Sequence, residues 1–89
     1  MEITGTLKAL FQLKTAQYNY FSQYAAVNDD DEYAAEQVRI IENEIRGIKE
    51  CVEAMTGSDC TIDYMQIENA NFNMVITKVT IGTIVLYRR

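Results

Sequence analysis

The strongest constraint in the chain is a repeat of apolar side chains near its middle. Ala34, Val38, Ile41, Ile45, Ile48, Val52 and Met55 follow one another at alternating spacings of four and three. That is the period of one helical face, and it predicts a helix over 34–55 with a narrow buried seam. Glu42 with Arg46, Arg46 with Glu50 and Lys49 with Glu53 fall at i,i+4 on the opposite side, where such pairs support a solvated helix surface. Gly57 follows the last seam position and reads as the C-cap. Ile40 and Cys51 flank the seam, with Gly47 between them in angle. The missing side chain at Gly47 is read as room for a close neighbour.

Three heptads are short for a free-standing coiled coil, so the seam calls for a partner close by in sequence. Residues 7–27 supply one. Leu7, Phe11, Tyr18, Phe21 and Ala25 form a helical stripe, with Thr4 or Thr6 as the expected cap. A competing reading makes 2–7 a short strand and starts the helix near Thr15. On the helical reading, Lys8, Gln12, Thr15, Asn19, Ser22 and Gln23 occupy a polar arc opposite the stripe. Leu13, Tyr20, Tyr24 and Val27 form a second apolar set beside it. The apolar arc is wider than one neighbouring helix covers, so this helix is expected to touch two things: the next helix, and a sheet or another subunit.

Between the two helices stands VNDDDEY, with Asp29, Asp30, Asp31 and Glu32 in a row. Acids at a helix start satisfy exposed N–H groups and favour the dipole. Asp29 with Glu32 has capping-box spacing, and Asp30 is the alternative cap. A calcium loop needs acids at alternating positions and a glycine at the sixth, so consecutive acids do not fit one. The short join makes an antiparallel helical hairpin the simplest arrangement.

After Gly57 the period changes to two. Cys60, Ile62 and Tyr64 alternate with Thr61 and Asp63, and a second β-prone stretch follows, FNMVITKVTIGTIVLY. Gly82 marks a bulge or bend in it, or a tight reversal into a third strand. On an unbroken alternation Val75, Thr77, Val79 and Ile81 share one face, and Met74, Ile76, Lys78 and Thr80 the other. Ile76 and Met74 then point outward or into a partner. Lys78 is the one charge in the middle of the run, where it discourages unwanted edge pairing. The expected fold is α+β: an N-terminal antiparallel helical hairpin followed by a C-terminal antiparallel β-hairpin or three-stranded sheet (ααββ or ααβββ). The 89 residues form one domain.

Chemistry finds little support. The chain has no histidine, its glycines are isolated, and Cys51 and Cys60 are expected as free thiols. No catalytic residue, cofactor site or metal site is expected. The net charge of −5 disfavours direct nucleic-acid binding, and residues 29–32 carry most of it, while the last 21 residues hold Lys78, Arg88 and Arg89 and no acid. No apolar run is long enough to span a bilayer, and MEITG is unlike a signal peptide, so a cytoplasmic setting is expected. The surplus apolar faces point to a non-catalytic interaction or assembly module, a homodimer or one held by a protein partner. Leu13, Tyr20, Tyr24, Val27, Met74 and Ile76 are the candidate interface. The alternative is a small acidic inhibitor of the phage anti-defence type, with Asp29, Asp30, Asp31 and Glu32 standing in for phosphates in a host enzyme's nucleic-acid-binding site.

Overall fold

A computed structural model describes residues 3–28, 30–67 and 73–89, and of these the side chains of residues 3 and 4 are left aside. Two helices, α1 (Ile3–Val27) and α2 (Glu32–Thr56), precede three strands, β1 (Cys60–Gln66), β2 (Met74–Ile81) and β3 (Ile84–Arg88). The strands form one antiparallel sheet in the order β1-β2-β3. The topology is ααβββ, the three-stranded form of the expected α+β fold.

α1 is helical from Ile3, which excludes the strand reading over the described residues 3–7 and places Thr4 and Thr6 inside the helix rather than at its cap. The helices run antiparallel. Lys14 Nζ lies 3.1 Å from Glu44 Oε2, and the Phe21 and Tyr33 rings pack 6.2 Å apart, so rising numbers on α1 meet falling numbers on α2. α2 is capped by Asp31, whose side chain accepts from the Ala34 N–H at 3.0 Å. The cap is thus later than either Asp29 or Asp30, and Asp29 itself lies outside the described residues. At the other end Gly57 adopts φ +70° and donates its N–H to the Glu53 carbonyl at 2.9 Å, as a left-handed C-cap does.

The α2 seam is buried at Ala34, Ile41, Ile45 and Val52 and half-buried at Val38 and Ile48. Its last member, Met55, is exposed, with its sulfur facing Cys51. A side chain at Gly47 would meet nothing within 4 Å. Gly47 therefore faces open space, and the close neighbour expected there is absent among the described residues. Glu53 ties α2 to the sheet: it accepts from the Cys60 N–H at 2.9 Å and sits 3.5 Å from Lys49. The Cys60 hydrogen bond, aided by the lysine, holds the Glu53 carboxyl below its ordinary pKa.

The sheet departs from unbroken alternation twice. Asp63 pairs with Lys78 but Tyr64 pairs with Ile76, so Thr77 is an extra residue in β2. The bulge finds its own partners: Thr77 Oγ1 donates to the Asp63 carbonyl at 3.2 Å, and Arg89 N–H donates to the Thr77 carbonyl at 2.8 Å. In β3, Val79 pairs with Tyr87 and Thr80 with Val85, which leaves Leu86 as the extra residue. Opposed residues share a face. Ile76 therefore lies on the face of Val79 and Ile81 and packs into the core, fully buried. The expectation that Ile76 faces outward is corrected by one extra residue at Thr77. Gly82 is the first residue of a two-residue reversal between Ile81 and Ile84, with φ +57°. The core joins Phe11 and Tyr18 of α1, Ile41, Ile45 and Val52 of α2, and Cys60, Ile76, Val79, Ile81 and Leu86 of the sheet.

Candidate protein-interaction surface

α1 meets the sheet with polar residues. Thr15, Asn19 and Ser22 are buried beside Phe11 and Tyr18. The reason lies in β2. Its pairs with β3 run only from Lys78 to Ile81, so the same edge of residues 74–76 has no strand beside it. Asn19 fills that place: its Nδ2 donates to the Ile76 carbonyl at 3.0 Å, and its Oδ1 accepts from the Ile76 N–H at 2.7 Å. Ser22 Oγ donates to the Met74 carbonyl at 2.5 Å. Buried backbone groups left unpaired are costly, and here two side chains complete the ladder that β3 leaves short. Of the contacts expected for the wide face of α1, a sheet or another subunit, the sheet is met by the polar arc, which lies beside the Phe11 stripe and not opposite it, and not by the Leu13 set.

Docking through that arc turns the second apolar set outward. Leu13 is 54% exposed, Tyr20 62%, Tyr24 42% and Val27 79%. The rings form a connected cluster: Tyr20 stacks on Tyr24 at 6.3 Å and meets Phe21 edge-on at 5.1 Å, and Phe21 meets Tyr33 edge-on at 6.2 Å. Tyr33, 66% exposed, was not among the sequence candidates. Its position one residue into α2, facing a hairpin partner that carries Phe21, is the signal that marks it. Met74 is partly exposed but lies by Ser22, on the sheet side of α1, and does not join the outward stripe. Ile76 is buried and contributes nothing to this surface.

The acids sit at the hairpin end beside the cluster. Asp30 and Glu32 are exposed, while Asp31 is half-buried and engaged in its cap. They occupy one helix end rather than a face. A second feature is an open cleft of about 350 Å³ between α2 and β1, lined by Glu42, Ile45, Arg46, Lys49, Ile62 and Tyr64. Tyr64, at one end of the cleft, also meets Tyr18 of α1 edge-on at 6.2 Å. Burial, with Glu42 and Tyr64 nearby, pushes the Tyr18 hydroxyl up to about 12. Burial also raises the Cys60 thiol, whose environment therefore disfavours the reactive thiolate. Both cysteines are free. Among the described residues, no group of three or more Cys, Asp or Glu side chains is placed to hold a metal ion, and no helix is long and apolar enough to cross a membrane. The chain matches no protein-family model, no curated protein and no solved structure.

Proposed function

We propose that this chain is a non-catalytic protein–protein interaction module that self-associates through the outward face of α1. The observation that carries the reading is the connected aromatic cluster of Tyr20, Tyr24 and Tyr33 around the half-buried Phe21, continued along α1 by Leu13 and Val27, with all but Phe21 exposed among the described residues. Tyrosine-rich apolar surface of this kind is typical of interface centres, where an aromatic body is buried and the hydroxyl stays at the rim. The exposed parts of Leu13, Tyr20, Tyr24, Val27 and Tyr33 add up to roughly 650 Å². Each partner in a stable interface contributes about 800 Å², so the patch supplies most of the area one needs.

The test is mass in solution by light scattering after size exclusion, over a concentration series at low and high salt. A mass near twice 10.2 kDa that persists at high salt is expected, because apolar burial is not screened. The double substitution Tyr20→Ser, Tyr24→Ser is expected to return the mass to 10.2 kDa with an unchanged circular dichroism spectrum. An unchanged mass in that variant would sink the reading.

A further inference from the structure

Resting on that self-association reading, we infer that the partner is a second copy of the chain whose α1 packs antiparallel against the first, the small half of one stripe facing the large half of the other. At 100° per residue, Ala9, Leu13, Ala16, Tyr20, Tyr24 and Val27 fall within an arc of about 80° on α1. All six are exposed. Their spacings of four, three, four, four and three form a seam like that of α2, but one that is left exposed among the described residues.

The stripe is not uniform along its length. Its N-terminal half holds Ala9, Leu13 and Ala16, and its C-terminal half holds Tyr20, Tyr24 and Val27. A parallel pair would set Tyr20 against Tyr20 and Ala16 against Ala16, crowding one end and leaving voids at the other. An antiparallel pair centred on Tyr18 sets Ala16 opposite Tyr20 and Ala9 opposite Val27, and Leu13 and Tyr24 opposite Gln23 and Gln12, so that no two large side chains of the stripe sit directly opposite one another.

Charge selects the same orientation. α1 carries Lys8 and Lys14 in its N-terminal half and no acid over Ile3–Val27. The acids follow its C-terminal end, at residues 29–32. A parallel pair would gather both acidic clusters at one end, where they repel. The antiparallel pair separates them by more than the roughly 27 Å between residues 9 and 27, and places each by the partner's N-terminal half, which carries Lys8 free of an intrahelical acid while Lys14 is held by Glu44 of its own chain. The flanks of the stripe are Gly5, Thr6, Gln12, Gln17 and Gln23, none of them charged, so no like charges oppose the approach.

The experiment mixes two full-length proteins, Ala9→Cys and Val27→Cys, each in a Cys51→Ser background because Cys51 is exposed. A bismaleimide much shorter than 27 Å joins thiols, with the circular dichroism of each variant matched to the parent. The antiparallel pair gives a covalent dimer in the mixture and none from either variant alone. Covalent dimers from each variant alone mean a parallel pair and overturn the inference. A mass near twice 10.2 kDa with no cross-link in any sample also overturns it, and leaves self-association standing through another surface. A mass of 10.2 kDa at every concentration up to the millimolar range overturns both this inference and the assembly reading.

Discussion

α1 and α2 are both 25 residues long and lie side by side, yet α2 buries most of the one seam its sequence marks as apolar, while α1 buries the Phe11 stripe and leaves its second apolar set in water. In α2, the regular seam enters the core and the charged side faces water. In α1 a polar line, Thr15, Asn19 and Ser22, is buried, while Leu13, Tyr20, Tyr24 and Val27 are exposed. The difference lies in what each helix is offered. α2 meets side chains, and apolar area decides its orientation. α1 also meets the open edge of a β-strand, and the unmet N–H and C=O groups there outweigh the apolar area left in water.

That account is most exposed at Asn19. Asn19→Ala strips partners from both the N–H and the C=O of Ile76 in a buried site. At about 1–3 kcal/mol for each orphaned group, a loss of about 2–6 kcal/mol is expected in urea melts. A loss well under 1 kcal/mol would mean that α1 is oriented by something other than the strand edge.

Thr15 sharpens the same point from the opposite side. Its hydroxyl is buried with no hydrogen-bond partner, although it lies on the same face as Asn19 and Ser22. It sits one turn before Asn19, where β2 is paired with β3 and has no open edge to offer. Thr15→Val keeps the shape and removes the orphan, so stability should rise by about 1–2 kcal/mol. A fall would mean that the hydroxyl is satisfied within the helix, at the carbonyl four residues back, and that polarity on this face is tolerated without the strand.

These contrasts also explain which parts of the structure are legible in the sequence. The α2 seam, the Gly57 cap and the hairpin depend on contacts between near neighbours, and each leaves a local mark. Gly82 marks the third strand, as a tight reversal rather than a bulge. The bulges at Thr77 and Leu86 leave none, because MVIT and TIVLY around them are apolar or β-branched in both phases, and hydrophobicity does not choose between them. Ile76 moves from the outer face to the core on that one undetected residue. Asn19 and Ser22 look like surface residues because their partners are backbone groups more than fifty positions away, freed only where β3 ends. The outward stripe at Leu13, Tyr20, Tyr24 and Val27 is readable as a surplus of apolar surface. Which side of α1 the sheet takes depends on that distant edge.

Gly47 provides the smallest effect and bears on α2, the helix that follows its pattern. It lies within the helix with open space where a side chain would go. If α2 is oriented by its seam alone, its outer flank answers only to helix propensity, and Gly47→Ala should stabilise the protein by about 0.8–1.0 kcal/mol. Thermal melts at low and high protein concentration separate the two sources of any departure. A loss that appears only at high concentration means a second copy approaches this flank closely enough to exclude a methyl group, and moves the interface from α1 to α2. A gain that is the same at both concentrations leaves the α2 flank in water and the α1 stripe as the surface still to be covered.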